Sequence, residues 1–196
     1  LLERTGMRVG NEEYARANGP YGVTTLRAGH VRGRGSGVRF RFRGKSGKDH
    51  AVALYDARLA RIIRRCRDLP GEELFEYVDD GGAIVKVDSD DVNAYIREIA
   101  GDAFSAKDFR TWIGTVACMS ALSEAAADAR DAKGKVVAAL QCVAAKLGNT
   151  PAVCRKAYVH PAVIEAYLRE LRVPLARDER AVQRFLDAAE RGRAAA

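Results

Sequence analysis

The sequence predicts a mainly α-helical fold with a small three-stranded antiparallel β-sheet near the N-terminus. Arg39–Arg43 alternates basic and aromatic residues with the period of two that is typical of a half-buried strand. From Asp56 onward, apolar residues recur at helical spacing and are bracketed by helix-capping residues. With 196 residues and 47% hydrophobic content, the chain is long enough for one substantial core. We therefore expect one domain over 1–196, with the sheet at 22–55 and a helical part at 56–196.

Turn residues and alternation locate the strands of the predicted sheet. The β-branched run Val23–Leu26 predicts a strand, and three glycines between 33 and 37 predict the turn that precedes Arg39–Arg43. Gly44–Lys48 is expected to be a hairpin tip, followed by a strand at His50–Leu54.

Capping signals locate the helices. Ser89 is a candidate N-cap with Gly101 as the stop, and Ser105 with Asp108 resembles a capping box. Thr150 followed by Pro151 is typical of a helix start. The predicted helices cover residues 11–17, 56–69, 89–100, 105–122, 135–147 with Gly148 as C-cap, 152–158, a segment restarting at Pro161, and 178–196.

Basic residues outnumber acidic ones, with 33 Lys and Arg against 26 Asp and Glu and a net charge of +7. This balance favours a polyanionic partner through electrostatic steering and counterion release. The segment 27–48 holds no acidic residue, and such a one-sign stretch indicates a surface that meets phosphate. Its basic residues are Arg27, Arg32, Arg34, Arg39, Arg41, Arg43, Lys45 and Lys48.

Several classes of site and of compartment are disfavoured. Cys66, Cys118, Cys142 and Cys154 show no CxxC spacing and the three histidines lie far apart, so we expect no metal site, disulfide or cofactor. Gly44-Lys45-Ser46 lacks the first glycine of a phosphate-binding loop, because Arg39 stands there. No apolar run approaches about 20 residues, so we expect no membrane association. The cysteine pattern favours a reduced, cytoplasmic compartment, with a nucleoid-associated protein expected if the polyanionic partner is DNA.

Four blocks, in order, carry a family resemblance. They are Met7–Glu12 with Gly22–Arg27, then Phe42–Lys45, then Lys107–Thr111, then Gly148–Pro151 leading to Arg155–Tyr158. Over about residues 3–167 the chain resembles the catalytic domain of type IB DNA topoisomerases, nearest to the poxvirus-like branch that also occurs in bacteria. The resemblance implies the catalytic fold shared with tyrosine recombinases, without the small β-rich N-terminal domain; Leu1 suggests a missing upstream segment.

The resemblance also implies site residues. Tyr158 would be the nucleophile, Arg8 and Arg110 the arginines that clamp the phosphate, and Lys45 a general acid on a hairpin. Lys107 would be an accessory contact near the scissile phosphate. We expect further DNA contacts from Arg27, Lys48, Arg155 and Lys156.

Two positions depart from the family pattern. Asn149 stands where poxvirus and eukaryotic members have histidine, and an amide donates a neutral hydrogen bond but carries no charge or proton. We expect Asn149 to stabilise the phosphate more weakly. Ser46 stands where poxvirus members have aspartate, so the hairpin tip is expected to meet DNA differently.

The chemistry suits these residue types. Attack on a phosphodiester builds negative charge on non-bridging oxygens, and fixed guanidinium groups stabilise that charge. A phenol of ordinary pKa about 10 is a weak nucleophile near neutral pH, so Tyr158 needs surrounding positive charge. A 3′-phosphotyrosine would conserve the bond energy, so the implied reaction needs no ATP, and the guanidinium groups would stabilise the charge without a metal.

The expected function is relaxation of supercoiled double-stranded DNA by a monomer. The nearest alternative is a tyrosine recombinase, which usually shows a His-x-x-Arg box where this chain has Lys107-Asp108-Phe109-Arg110. A third alternative is a DNA-binding fragment with weakened catalysis.

Overall fold

The computed structural model describes residues 1–125, 129–176 and 178–194. The chain forms two compact units, Leu1–Phe109 and Arg110–Ala196, and each contains its own hydrophobic core. Most of the regular structure in the described residues is helical, and a small antiparallel sheet lies near the N-terminus. This confirms the predicted fold class, whereas the expectation of one domain over 1–196 stays a prediction.

The first unit carries the sheet. Short 3₁₀ turns cover Val23–Thr25, Ala28–His30 and Lys45–Gly47. Its other elements are α1 Leu2–Thr5, α2 Glu12–Asn18, β1 Val31–Arg34, β2 Gly37–Arg43, β3 Asp49–Tyr55, α3 Ala57–Arg67, β4 Glu76–Val78, β5 Ile84–Lys86 and α4 Ser89–Ala100.

Strands β1, β2 and β3 pair antiparallel in that order. Along β2 the apolar side chains Val38, Phe40 and Phe42 are buried, and the arginines between them are exposed. This confirms the period-two alternation. The buried side packs against α3, whose Ala60 and Ile63 belong to the same core.

The predicted strand at Val23–Leu26 is wrong, because Val23–Thr25 forms a 3₁₀ turn. The Val23 amide donates to the Arg8 carbonyl at 2.8 Å and the Thr24 amide to the Val9 carbonyl at 2.7 Å. These contacts with a distant segment outweigh the β-preference of branched residues. The first strand is β1 instead.

Three further differences concern turns and caps. The β1–β2 turn lies at Gly35 and Ser36, while Gly33 and Gly37 lie within the strands. Asp88 rather than Ser89 caps α4, because its Oδ1 accepts from two amides of the first turn at 2.7 and 2.9 Å. The β4–β5 hairpin was not predicted.

Two other predictions about turns and helix ends are confirmed. They are the hairpin tip between β2 and β3 and the stop of α4 at Gly101.

The second unit is helical. Helix α5 covers Ala106–Glu124 and begins in the first unit. It is followed by α6 Ala132–Leu147, α7 Pro151–Ala157, α8 Pro161–Glu170 and α9 Glu179–Ala194. The core contains fully buried side chains from all five of these helices, namely Met119, Val143, Cys154, Val163 and Val182. The last two residues of the predicted C-terminal helix, 195 and 196, lie outside the described residues.

The break between α6 and α7 has the predicted caps. Gly148 ends α6 in the left-handed conformation, with φ of 61°, which glycine adopts at low cost. Thr150 Oγ1 then accepts from the Val153 amide at 3.3 Å, and Pro151 opens α7. In the part of the chain that the structure describes, no single helix has the length and hydropathy of a membrane span; α6 and α7 pass together but bend by 91°.

Candidate active site

Arg110 and Tyr158 lie against each other in the second unit. Arg110 projects from α5 and is only 4% exposed. Its Nη2 donates to the Leu147 carbonyl at 2.9 Å, and its Cζ lies 4.8 Å from the centroid of the Tyr158 ring. A guanidinium at this distance is attracted by the negative face of an aromatic ring. The tyrosine is therefore held beside a fixed positive charge.

One face of α5 holds the backbone around Tyr158. Thr111 Oγ1 donates to the Ala157 carbonyl at 3.4 Å, and Thr115 Oγ1 accepts from the His160 amide at 3.0 Å. Between them, a Cβ at Gly114 would overlap the Tyr158 carbonyl oxygen and would stand 3.2 Å from the Tyr158 Cβ. These positions follow helical spacing, so a single helix face fixes the segment on both sides of the tyrosine.

Tyr158 is the C-cap of α7. Its amide donates to the Cys154 carbonyl at 3.0 Å, and its side chain is half-buried. The chain leaves the helix here because Pro161 starts α8 and its predecessor His160 is extended, with φ of −62° and ψ of 127°. Arg155 and Lys156, the basic pair of the last turn of α7, are exposed.

Two buried cysteines lie close together in the core against which Tyr158 packs. Cys118, one turn after Gly114 on α5, and Cys154 on α7 are both 0% exposed. Burial raises the pKa of the Cys118 thiol to about 12, and the neighbouring Cys154 contributes to the shift. Both thiols thus act as small apolar groups that join α5 to α7.

Asn149 lies at the break between α6 and α7. The backbone amide of Asn149 donates to the Ala144 carbonyl at 2.9 Å, and the side chain of Asn149 is half-buried. It follows Leu147, the residue whose carbonyl accepts from Arg110, by two positions. The break therefore carries both the Leu147 carbonyl that accepts from Arg110 and the Asn149 side chain, which is expected to donate a hydrogen bond to the phosphate.

Arg8 belongs to the first unit and is half-buried. Its carbonyl accepts from Val23, and Gly22 crosses so close that a Cβ there would stand 2.9 Å from the same oxygen and 2.5 Å from the Gly10 nitrogen. Gly10 itself has φ of 113°, a conformation that favours glycine. The tight crossing of two glycines fixes the backbone that presents Arg8.

Lys45 opens the tip of the β2–β3 hairpin and is exposed. Within the tip, the Gly44 amide donates to the Lys48 carbonyl at 2.8 Å and the Gly47 amide to the Gly44 carbonyl at 3.1 Å. At the foot of the hairpin, the Tyr21 amide donates to the Arg43 carbonyl at 2.8 Å. The side chain of Ser46, for which we predicted an effect on how the tip meets DNA, lies outside the described part.

The comparisons with known proteins decide the family. The sequence model described as "Eukaryotic DNA topoisomerase I, catalytic core" matches residues 1–183. The chain belongs to this topoisomerase family. A relative, "DNA topoisomerase 1B" of Acanthamoeba polyphaga mimivirus, is 33% identical over 176 residues, which is 85% of this chain and 52% of the relative. The chain thus spans about half the length of this curated relative.

The family membership confirms the resemblance to type IB topoisomerases and to the poxvirus-like branch, while a bacterial origin stays a prediction. Of the implied site residues, Arg110 and Tyr158 are in contact in this topoisomerase core. Arg8 and Lys45 share the first unit, and Asn149 shares the second with Tyr158. The roles of all five residues stay predictions.

The candidate DNA contacts of the topoisomerase core differ in their surroundings. Lys107, Lys48, Arg155 and Lys156 are exposed, as a phosphate contact requires. Arg27 is also exposed, and its Nη2 lies 3.9 Å from a Glu72 carboxylate oxygen. A contact between Arg27 and DNA would compete with that ion pair.

Sequence reasoning missed Thr111, Gly114 and Thr115 as residues that hold Tyr158. A glycine in the middle of a helix was the available signal, because such a residue costs helix stability unless something approaches closely. Nothing in the sequence identifies the approaching group.

In the described residues, no three His, Cys, Asp or Glu side chains form a group that could hold a metal ion.

Proposed function

We propose that the chain cleaves one strand of duplex DNA through Tyr158, lets supercoils relax, and reseals the strand without ATP or a metal. The observation that carries the proposal is the guanidinium of Arg110 fixed over the Tyr158 ring. A fixed cationic group beside the nucleophile would stabilise the negative charge that develops on the phosphate during attack.

The reaction balances as two transesterifications. The Tyr158 phenol releases its proton to solvent and its oxygen bonds to the backbone phosphorus, while the bond from phosphorus to the 5′ oxygen breaks. Lys45 gives the departing oxygen a proton. In the reverse step the 5′ hydroxyl attacks the phosphotyrosine and returns that proton to Lys45. On resealing, the bond from phosphorus to the Tyr158 oxygen breaks and the released phenolate takes a proton back from solvent. One phosphodiester is exchanged for another in each direction, so no ATP is required.

We assign to Arg110, Arg8 and Asn149 the stabilisation of the negative charge that develops on the non-bridging oxygens. Arg110 is buried and held by the Leu147 carbonyl, so little reorganisation is needed when the charge develops. Arg8 is presented by the rigid glycine crossing. Asn149 contributes a neutral amide donor, which is weaker than a charge-assisted one.

Binding of duplex DNA is assigned to exposed basic side chains, namely Lys107, Lys48, Arg155, Lys156 and, in competition with Glu72, Arg27. These contacts are electrostatic, and binding should therefore weaken steeply with salt. All catalytic groups lie on one chain, which supports action as a monomer.

Two assays test the proposal. Supercoiled plasmid should be relaxed in the presence of a chelator and without ATP, and a denaturing gel should trap a covalent protein–DNA adduct whose peptide contains Tyr158. Tyr158→Phe should lose both signals. Tyr95→Phe, a control at a 62% exposed tyrosine of α4, should keep both.

Relaxation or adduct formation by Tyr158→Phe at the wild-type level would end the proposal. A strand-exchange assay with paired duplexes separates the two phosphotyrosine chemistries. Exchange products without relaxation would assign the chain to recombination instead.

A further inference from the structure

The outer face of the three-stranded sheet, opposite the side covered by α3, carries a concentrated positive charge. We define this outer face by its exposed residues Arg32, Arg39, Arg41, Ala51, Ala53 and Tyr55. We propose that it is a second DNA-binding surface, which holds the sugar–phosphate backbone of duplex DNA without reading its sequence. The inference rests on the proposed function in naming duplex DNA as the ligand.

The pairing register brings the arginines together. Arg32 of β1 stands directly opposite Arg39 of β2, and Arg41 follows Arg39 on the same side of the strand. Same-side residues along a strand are about 7 Å apart. In the described part of the chain, none of the three forms an ion pair with a carboxylate.

Like charges directly opposite each other on neighbouring strands destabilise a sheet. Arg32 and Arg39 nevertheless stand opposite each other on the outer face, although nothing in the packing of the buried side requires arginine there. A polyanion would remove the repulsion on binding. The charge pattern is therefore better matched to a bound phosphate backbone than to bare solvent.

The shape of the outer face also suits a backbone. Arg39 pairs across the sheet with Ala53, and Arg41 with Ala51, so small side chains lie beside the long ones. The result is a shallow hollow of about 560 Å³. Tyr55, which is 80% exposed, lies at one end with its ring across Gly37, where a Cβ would stand 3.2 Å from the ring.

The outer face continues into the catalytic hairpin. Arg39 and Arg41 lie on β2, the strand that leads to the Lys45 tip. Arg39 and Lys45 are six positions apart, so their backbones are separated by at most about 20 Å, well under one helical turn of DNA, about 34 Å. A single duplex seated on the outer face would therefore extend to the hairpin tip.

Salt dependence of binding tests the inference directly. The Tyr158→Phe chain is titrated with a fluorescent duplex of about 21 base pairs, two helical turns, over a range of salt concentrations. Removing three charges by Arg32→Gln, Arg39→Gln and Arg41→Gln should make the slope of log Kd against log salt shallower by about 2 to 3, because each phosphate contact contributes about 0.9.

A matched control removes the same charge elsewhere in the unit. Arg58, Arg61 and Arg65 are exposed on α3, the helix that covers the opposite side of the sheet, and all three are changed to Gln. This control should leave the slope within about 0.5 of the parent value, less than one phosphate contact. Two duplexes of unrelated sequence should give the same loss for the outer-face variant, because phosphate contacts carry no sequence information.

Equal slopes for the outer-face variant and its parent, or equal losses in both triple variants, would overturn the inference. Thermal melting of both variants establishes that each remains folded. The cleavage chemistry is measured separately, since a chain that forms no adduct in its wild-type form contradicts the proposed function whatever the binding slopes show.

Discussion

Gly114 of α5 lies so close to the carbonyl of Tyr158 that no larger residue fits between the helix and the candidate nucleophile. Thr111 and Thr115 hydrogen-bond the backbone on either side of the same contact. The position of the tyrosine is thus determined by backbone packing on α5 as well as by the guanidinium of Arg110.

Gly114→Ala should impair cleavage without unfolding the chain. Alanine favours a helix interior by about 1 kcal/mol over glycine, which offsets part of the clash. The new Cβ must displace Tyr158, and a shift of about 1 Å can cost about 100-fold in rate. Single-turnover adduct formation and thermal melting measure the two effects.

Gly192→Ala serves as the control for Gly114, since Gly192 lies in α9 and a Cβ there meets nothing within 4 Å. It should leave adduct formation unchanged. Full cleavage activity in Gly114→Ala would show that the close contact does not position the tyrosine.

Arg110→Lys should retain the charge but lose the planar donor group. We expect adduct formation to fall by about 10² to 10³, the usual cost of losing one preorganised donor. The Leu147 carbonyl would also lose its partner, at about 1 to 3 kcal/mol of stability, so rates are compared well below both melting temperatures. Arg169→Lys, at an exposed site of α8, is the control, and wild-type rates in Arg110→Lys would refute the role.

Lys45→Ala should slow cleavage by about 10² to 10⁴ if Lys45 protonates the departing oxygen. A substrate with sulfur at the bridging 5′ position needs no proton for departure, and the variant should cleave it at nearly the wild-type rate. Lys48→Ala, in the same tip, should slow both substrates by one common factor. Lack of rescue by sulfur would assign Lys45 to binding alone.

Alkaline pH should destabilise the second unit through Cys118. The folded thiol keeps its proton to about pH 12, whereas an ordinary thiol loses it near 9.0. The unfolded state therefore releases a proton in this window, and stability falls as pH rises above about 9, by at most about 1.4 kcal/mol per pH unit. Denaturant titrations of Cys118→Ala should show a smaller pH dependence than those of the exposed-site control Cys142→Ala, and identical slopes would contradict this.

The elements that could be predicted from the sequence are those whose signals are local. Alternation in β2 and the caps Gly148 and Thr150 depend on neighbouring residues, and the structure has them as predicted. Val23–Thr25 failed as a strand because its amides bond to Arg8 and Val9, a long-range contact that no local pattern encodes. The β4–β5 hairpin had a signal in Asp79–Gly82, but its strands have only three residues each.

The candidate site divides in the same way. The types and order of Tyr158, Arg110 and Arg8 were sufficient for the family, because ordered blocks are specific even when each residue alone is common. The α5 residues that hold Tyr158 were invisible, since a threonine in a helix has many uses and its partner is a backbone group over 40 residues away.

The foot of the β2–β3 hairpin is tied to the rest of its unit where Tyr21 meets Arg43, one residue before the tip begins at Gly44. Tyr21 is followed directly by Gly22, which packs on the Arg8 backbone. Exchange or insertion of tip residues leaves both attachments in place. The length of the tip, and with it the distance that Lys45 can reach, can therefore be altered by design without disturbing the backbone that presents Arg8.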